Sequence, residues 1–329
     1  MSSRRPLRVA ALGGGHGLHA ALTALRTITD DVTAVVTVAD DGGSSGRIRR
    51  ELNVLPPGDL RMALAALAGK ETEHRAWAEL LQHRLGGTGV LAGHPVGNLM
   101  LTALLEREAD PKTALARLGE LVGAVGRVLP MSPAPLDLVG EADRFDPDQP
   151  ARTRRIRGQS SIAATPGRVL SVRLLPNGAP ASAEAVDAVR EADLVLLGPG
   201  SWFTSVIPHL LLRELGTALA VTTAKIVVVL NLVPQAGETD DYEPHQLLEL
   251  LETHARPCGG LPIHTVLADT DSVLDPEQLR RYTRGIGARL VVSRLAADDS
   301  AERHDTARLS DAIRGVLDDE AMGGLLAWR

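Results

Sequence analysis

Short aliphatic runs alternate along the chain with glycine-rich turns and with segments of helical periodicity. Leu7 to Leu12 and Val32 to Val38 have the pattern of buried strands, and Leu18, Leu22 and Leu25 recur at helical spacing between them. Repeated strand, turn and helix units predict a mostly parallel sheet covered by helices. We therefore expect an α/β fold of the Rossmann-like type, with helices on both faces of the sheet.

This pattern changes between residues 128 and 175. Prolines and alternating residues replace the strand and helix rhythm there, which favours hairpins inserted between two α/β halves. The parallel pattern then resumes, with predicted strands at Asp193 to Leu197, Lys225 to Leu230, Ile263 to Ala268 and Arg289 to Ser293. Neither repeats nor a low-complexity linker divide the chain, so we predict a single α/β domain over residues 1–329 with the hairpin insertion at about 128–175.

Composition and charge narrow the class of protein. Of the 329 residues, 44% are hydrophobic and 23% charged, which is typical of a folded globular chain. The net charge of −6 and the aromatic content of 2% disfavour nucleic-acid binding by an attractive field or by stacking. The single cysteine, Cys258, excludes an internal disulfide and a structural zinc site made of cysteines. The first apolar stretch ends at Gly13, far short of a signal peptide or a membrane span. We expect a cytoplasmic protein without membrane insertion.

Four arginines offer a nucleic-acid alternative. Arg155 and Arg157 fall on one face of a predicted hairpin strand, whereas Arg152 and Arg154 fall on the other. Because alternation divides the patch and the chain is acidic, a solvated hairpin or a subunit contact is favoured over a nucleic-acid site.

The first candidate binding motif is a glycine turn between the first strand and the first helix. It contains a GxGxxA spacing at Gly15, Gly17 and Ala20, which lets the backbone turn tightly and approach a phosphate. Free N–H groups at the start of the following helix would hold that phosphate. The alternative is a tight turn without a ligand. The predicted binding residues of this turn are Gly13, Gly14, Gly15, His16 and Gly17.

An acidic doublet, Asp40 and Asp41, follows the second strand about 20 residues further on, where a dinucleotide fold places a ribose-binding carboxylate. With Asp59 it could hold Mg²⁺ against ligand phosphates. The alternative is that the acids cap local glycine turns. The segment from Asp40 to Gly46 is rich in glycine and serine, which predicts a loop.

Two further segments add candidate binding residues. A second strand-to-helix turn carries Gly198, Gly200 and Ser201, so its main-chain amides are expected to hold the ligand diphosphate together with the first turn. The loop from Asn231 to Asp240 concentrates amides and acids, which is typical of recognition loops, although a polar surface loop is the alternative. The candidates from these segments and from the start of another helix are Ser44, Ser45, His94, Asn98, Asn231, Gln235 and Thr239.

Six motifs in this order resemble the YvcK-like gluconeogenesis factors. This family is a branch of the CofD-like superfamily, whose other branch contains the 2-phospho-L-lactate transferases of coenzyme F420 synthesis. The likeness extends from Leu7 to about Leu317, and it departs from the family at His16, where many members have threonine. The motifs are Gly13-Gly14-Gly15-x-Gly17-Leu18, the Thr37 to Gly46 loop, Pro56-Pro57-Gly58-Asp59-Leu60-Arg61, Gly93-His94-x-x-Gly97-Asn98, Gly198-Pro199-Gly200-Ser201 and the Asn231 to Asp240 loop.

The resemblance implies a nucleotide-binding protein whose ligands are UDP-sugars such as UDP-N-acetylglucosamine or UDP-glucose. It also implies a role in cell shape and cell-wall homeostasis during growth on gluconeogenic carbon sources, and it brings no established reaction. The alternative is a Mg²⁺-dependent transferase of the phospholactate type. Such an enzyme must hold a flat deazaflavin acceptor, for which Trp202 and Phe203 are the obvious stacking partners.

The last candidates lie before the final helix. Arg303 follows the last predicted strand and is expected to face the ligand crevice and contact a phosphate. Arg303 and Thr306 also form a basophilic kinase pattern, so phosphorylation of Thr306 by a Ser/Thr kinase would compete with the ligand charge. A homo-oligomer is a further alternative that the sequence leaves open.

Overall fold

A computed structural model describes residues 5–145, 148–149, 151–235 and 237–326 of the chain. Two sheets and a short hairpin contain its strands. They are β1 (Val9–Gly13), β2 (Val32–Val36), β3 (Arg127–Pro130), β4 (Asp137–Asp143), β5 (Arg154–Arg157), β6 (Arg168–Leu175), β7 (Leu194–Leu197), β8 (Lys225–Val229), β9 (Ile263–Asp269), β10 (Arg289–Ser293), β11 (Ala296–Ala297) and β12 (Ser300–His304).

Helices connect and cover these strands. They are α1 (Gly15–Leu25), α2 (Gly43–Leu52), α3 (Pro57–Leu67), α4 (Thr72–Gln82), α5 (Val96–Arg107), α6 (Pro111–Leu121), α7 (Gln159–Ala163), α8 (Ala183–Glu191), α9 (Ile207–Leu211), α10 (Arg213–Val221), α11 (Pro244–Ala255), α12 (Pro276–Gly285) and α13 (Thr306–Leu326). A π-helical segment at Trp202–Val206 precedes α9, and a 3-10 turn at Arg256–Cys258 follows α11. Within the described part of the chain, no helix is both long and apolar enough to cross a membrane.

The central sheet has seven parallel strands in the order β10-β9-β8-β7-β1-β2-β3. Strand β1 pairs with β2 on one side and with β7 on the other, so Val9 faces both Val32 and Leu194. Every residue of these three strands is buried, and together they form the aliphatic centre of the core. The chain runs outwards from β1 in one direction and, after β7, in the other. The α/β fold is therefore confirmed, with a topological switch point between β1 and β7.

The insertion is an antiparallel sheet of β5, β4 and β6 with α7 between β5 and β6. It packs against the main layer through Tyr242, whose hydroxyl donates to Val169 O over 2.6 Å. The predicted start of the insertion at residue 128 is wrong, because β3 pairs in parallel with β2 as the edge strand of the main sheet. Three consecutive buried residues, Val128 to Pro130, suit that covered position better than a half-exposed hairpin.

The segment predicted as a loop from Asp40 to Gly46 is in part helical. Helix α2 begins at Gly43, whose φ is +45°, and Ser44, Ser45 and Gly46 are buried in its first turn. A side chain at Gly46 is excluded, since its Cβ would lie 1.8 Å from the carbonyl oxygen of Asp41. Tertiary contacts therefore override the poor helix propensity of glycine and serine here.

The basic hairpin is divided as its alternation predicts. Arg155 and Arg157 share one face of β5 and pair with Glu141 and Asp137 of β4, at 3.4 and 2.5 Å. Arg154 lies on the other face, with its guanidinium 4.9 Å from the ring centroid of Phe145. The positive charge is thus partly neutralised within the hairpin itself.

Candidate functional site

The two predicted glycine turns touch each other at the switch point. A Cβ on Gly17 would lie 2.2 Å from the carbonyl oxygen of Pro199, and a Cβ on Gly200 would lie 3.5 Å from the carbonyl oxygen of Gly14. The turns after β1 and β7 are therefore in backbone contact at the carboxyl ends of adjacent strands. In open α/β sheets this is the position of the ligand crevice.

The first turn is open on one side and closed on the other. Gly15 has a φ of +60° and no heavy atom within 4 Å of the position of a Cβ, whereas a Cβ on Gly14 would lie 2.5 Å from Oδ2 of Asp59. The Asp59 carboxylate accepts a hydrogen bond from the Gly15 N–H. His16 is exposed in the first turn of α1. The turn thus presents its backbone to the crevice, next to a carboxylate.

Asp40 and Asp59 form a pair of interacting carboxylates beside this turn. Burial, together with the negative charge of Asp40, raises the pKa of Asp59 from 3.8 to about 7. Burial likewise raises the pKa of Asp40, against the opposing hydrogen bond that its Oδ1 accepts from Gly42 N at 2.9 Å. A proton or a cation shared by the pair would relieve its repulsion.

Asp41 is held by another segment, although its negative charge also contributes to the raised pKa of Asp40. Its carboxylate accepts hydrogen bonds from the Ser160 hydroxyl and from the Ser160 amide, the latter at 2.9 Å, at the start of α7. Among the described residues, no group of three or more histidine, cysteine or acidic side chains is arranged to hold a metal ion. The predicted set of three acids is therefore reduced to Asp40 and Asp59, and Mg²⁺ binding by that pair stays a prediction.

A buried polar network lies at the start of α2. Nδ1 of His94 lies within hydrogen-bond distance of Oγ of Ser44, at 2.7 Å. The same Oγ accepts a hydrogen bond from Nδ2 of Asn98 at 2.9 Å. Nε of Arg61 donates to Oδ1 of Asn98 at 2.9 Å. Burial lowers the pKa of His94, which favours the neutral ring near pH 7. Ser45 accepts from Gly58 N at 3.0 Å. The sequence-predicted residues of this region are thus brought together.

No side chain caps the start of α2, and its first turn holds no acidic residue. Gly43 at that start has no heavy atom within 4 Å of the position of a Cβ. The start of α2 is therefore open, as Gly15 is, and its dipole favours an anion.

The second turn is filled by the protein itself. Ser201 Oγ donates to the Glu238 carboxylate at 2.6 Å, and the same carboxylate accepts from Phe203 N at 2.8 Å. Glu238 is only 4% exposed, and burial raises its pKa. A buried internal carboxylate therefore already takes the Ser201 hydroxyl and the Phe203 amide, while diphosphate binding by the amides of the turn itself stays a prediction. The sequence places Glu238 in an acidic loop, but it does not indicate that this side chain points inwards.

The amides of the same loop hold the turn in place. Asn231 accepts from Gly200 N and donates to Gly200 O, both at 2.9 Å, and it also donates to Gln235 at 3.3 Å. Thr239 Oγ1 accepts from Gln235 N at 2.8 Å. A cavity of about 190 Å³ lies beside them at the ends of β8 and β9. Asn231 and Thr239 line this cavity, and Gln235 links the two by hydrogen bonds.

Glu238 yields a testable consequence for stability. We expect Glu238→Ala to lower the free energy of unfolding by about 2 kcal/mol, because Ser201 Oγ and Phe203 N lose their acceptor in a buried place. Urea unfolding measures this change. The control is Asp240→Ala, which removes an exposed carboxylate of the same loop that accepts from Gly237 N. Equal losses in the two variants would contradict a special role of Glu238 in holding the turn.

The two aromatic residues after the turn are unavailable to a ligand. Trp202 and Phe203 are both fully buried. Nε1 of Trp202 donates to Leu247 O at 2.8 Å, and the ring of Phe203 lies 6.0 Å from that of Tyr242. Neither ring can stack on a flat acceptor unless this part of the core opens.

Arg303 lies on an exposed strand position of β12 and pairs with Asp299 at 2.5 Å. Thr306 is the first residue of α13, and Asp305 before it accepts from Ala307 N and Arg308 N at 2.9 Å. The start of α13 is thus capped by an acid of its own. Ligand contact by Arg303 and phosphorylation of Thr306 stay predictions.

Residues 9–312 match the sequence profile of the family described as 2-phospho-L-lactate transferase CofD. A Mycobacterium tuberculosis protein named "putative gluconeogenesis factor" is 51% identical over 311 residues, which cover 94% of this chain and 90% of that protein. The gluconeogenesis factor of Bacillus subtilis is 36% identical over 274 residues, which cover 83% of this chain and 81% of that protein. A crystal structure of a UPF0052 family protein from Bacillus halodurans superposes with a TM-score of 0.83 at 32% identity, covering 94% of this chain and 99% of that one.

Proposed function

The chain belongs to the CofD family, in its gluconeogenesis-factor branch, and from this premise we propose that it is a cytoplasmic nucleotide-binding protein whose ligand is a UDP-sugar. UDP-N-acetylglucosamine and UDP-glucose are the proposed ligands. The proposed role, control of cell shape and cell-wall homeostasis on gluconeogenic carbon sources, rests on the likeness to that branch.

The observation that carries the ligand proposal is the open backbone at the switch point. Gly15 and Gly43 both border open space, and each stands at the start of a helix that carries a positive dipole end. The proposed diphosphate site is formed by the first turns of α1 and α2, because unpaired N–H groups and the dipole at a helix start favour an anion. The proposed diphosphate site does not include the turn after β7, because Gly200 N and Phe203 N are already hydrogen-bonded to Asn231 and Glu238.

The carboxylates beside that site support a link to Mg²⁺. Asp40 and Asp59 would repel a bound diphosphate if both were ionised. Mg²⁺ is usually held in proteins by one or two carboxylates together with substrate phosphates, so this pair suits such a bridge. We include Mg²⁺ in the proposal as a cation that binds together with the ligand.

A transferase of the phospholactate type is the second candidate. The family profile and the Asp59 carboxyl, whose pKa is raised to about 7, favour it, since a poised carboxylate or a bound metal could activate a donor phosphate. The burial of Trp202 and Phe203 disfavours it, because the flat acceptor then has no aromatic partner near the site.

Thermal unfolding with a nucleotide panel separates the two candidates. We expect UDP-N-acetylglucosamine to stabilise the protein, by about 2.7 kcal/mol at a concentration 100 times its dissociation constant, and guanosine nucleotides to have little effect. Each nucleotide is tested with and without Mg²⁺, and titration calorimetry gives the dissociation constants. Stabilisation that requires GDP together with a deazaflavin would contradict the binding proposal and favour the transferase. A protein stabilised by no nucleotide contradicts both.

A further inference from the structure

Arg61 is a buried arginine with little hydrogen bonding. It lies on α3, is 4% exposed, and its Nε donates to Asn98. That bond is the one hydrogen bond of its side chain in the described part of the chain. A Cβ on Gly97 would lie 2.9 Å from Cδ of Arg61, so the arginine stem runs closely over the start of α5. Its terminal nitrogens make no hydrogen bond to the described residues, so they remain able to bind an anion in pairs.

The surroundings of Arg61 carry further positive charge. Burial and the positive charge of Arg84 lower the pKa of Arg61 to about 10, against the opposing effect of Asp59. Burial lowers the pKa of His19, and the charges of His16 and Arg61 lower it further. Arg84 pairs in the backbone with Pro95, directly before α5, and the stem of Arg61 crosses the start of the same helix at Gly97. The two arginines therefore lie at one helix start, and His16 and His19 stand on α1, which packs against the helix of Arg61.

This place adjoins the proposed diphosphate site. His16 and His19 stand on the first turns of α1, directly after Gly15. Asp59 lies between Arg61 and the Gly15 amide, and Asn98 links Arg61 to Ser44 at the start of α2. The cationic side chains thus form a side wall of the crevice.

We propose that Arg61 and Arg84, assisted by His16 and His19, form a cationic subsite that binds the phosphoryl groups of the ligand. The proposal rests on the proposed function and deepens it by assigning the diphosphate, not the base or the sugar, to this wall. A guanidinium fork matches phosphate oxygens in pairs, and two such forks match the two phosphoryl groups of a diphosphate. A purely structural role, in which Arg61 holds Asn98 in place, does not explain this group of charges. Such a role uses one nitrogen of Arg61 and none of Arg84.

The test compares charge-removing variants with a matched control. Arg84→Gln removes the charge of an exposed side chain and keeps an amide that can replace its 2.8 Å hydrogen bond to Gly93 O. Arg61→Lys keeps the charge but loses the planar fork. The control is Arg75→Gln, which removes an exposed arginine of α4. Calorimetry with inorganic pyrophosphate, UDP and uridine, each with and without Mg²⁺, gives the affinities, and melting temperatures show that the variants fold.

We expect Arg84→Gln and Arg61→Lys each to weaken pyrophosphate and UDP binding at least tenfold, with uridine binding and the control unchanged. If the wild type binds UDP and Arg84→Gln binds it equally well, the subsite is overturned while the proposed function stands. If the wild type binds pyrophosphate in an Arg84-dependent way but no nucleotide, the subsite stands and the proposed function fails. A wild type that binds neither pyrophosphate nor UDP overturns the subsite.

Discussion

Asp59→Asn is expected to raise the melting temperature of the ligand-free protein at pH 8 and to abolish Mg²⁺-linked diphosphate binding. In the folded protein the pKa of Asp59 is raised from 3.8 to about 7, so ionisation of this carboxyl opposes folding. The asparagine keeps an oxygen that accepts from Gly15 N and removes the charge. After allowance for partial exposure, the gain is about 2 kcal/mol, or roughly 4 °C.

The pH dependence of this gain follows from the direction of the shift. Well below pH 3.8 Asp59 is protonated in both the folded and the unfolded chain, so the wild type and the variant have similar stability there. As the pH rises from about 4 to about 7, the unfolded chain ionises first, and the stability that the protonated Asp59 contributes is lost. The advantage of the asparagine should therefore grow over this window and stay constant above it.

Thermal unfolding at pH 4 and pH 8 measures the effect, with Asp311→Asn on an exposed position of α13 as the control. A lower melting temperature of Asp59→Asn at pH 8 would show that the ionised carboxylate stabilises the fold. If the variant is more stable but no longer binds the ligand, Asp59 serves ligand binding at a cost in stability.

Gly17→Ala is expected to cost about 3 kcal/mol of unfolding free energy, the largest loss among single-methyl changes in the glycine turns. Its Cβ would lie 2.2 Å from Pro199 O and 2.7 Å from Gly200 Cα, and both are backbone atoms that cannot rotate away. The substitution must therefore push the turns after β1 and β7 apart, which also widens the crevice. Urea unfolding, with the midpoint and the slope determined separately, measures the loss.

Gly15→Ala is the matched control for this change. A Cβ at Gly15 meets no heavy atom within 4 Å, so the cost is limited to the positive φ of +60°, about 1 kcal/mol. If both alanines destabilised the protein equally, the contact between the two turns would carry no special weight. If Gly17→Ala were neutral, the backbone approach at the switch point would not exist in solution.

Periodicity predicts the sheet well because burial of each parallel strand leaves a local signature. The strand Arg289 to Ser293 has the predicted bounds, and most others differ by one or two residues at an end. Helix α2 escapes prediction, since Gly43 to Gly46 are poor helix formers and are held by partners distant in the chain. The sequence does not predict the hairpin of β11 and β12 either. Its position depends on the distant Asp269, which accepts hydrogen bonds from Leu295 N and Ala296 N.

The candidate site divides in the same way. Spacing selects two glycine turns that the structure brings into contact, and it selects Ser44, His94 and Asn98, which the structure joins by hydrogen bonds. It cannot indicate that Asp41 points to Ser160, because the direction of a side chain depends on a helix more than 100 residues later. Arg61 stands inside a quoted motif, yet only its burial and its lack of acceptors make it a binding candidate.

By itself the sequence determines the class of fold and the family, and it predicts the edge of the sheet where a ligand binds, since these follow from local periodicity and from glycines that the backbone requires. Only the tertiary structure decides which polar groups remain free at that edge. It assigns Glu238 to the turn after β7 and leaves the starts of α1 and α2 open, beside Asp40, Asp59 and Arg61. The reason is physical. Hydrogen bonds and ion pairs form between segments far apart in the chain, so a local sequence pattern does not specify which partner a polar side chain has in the folded protein.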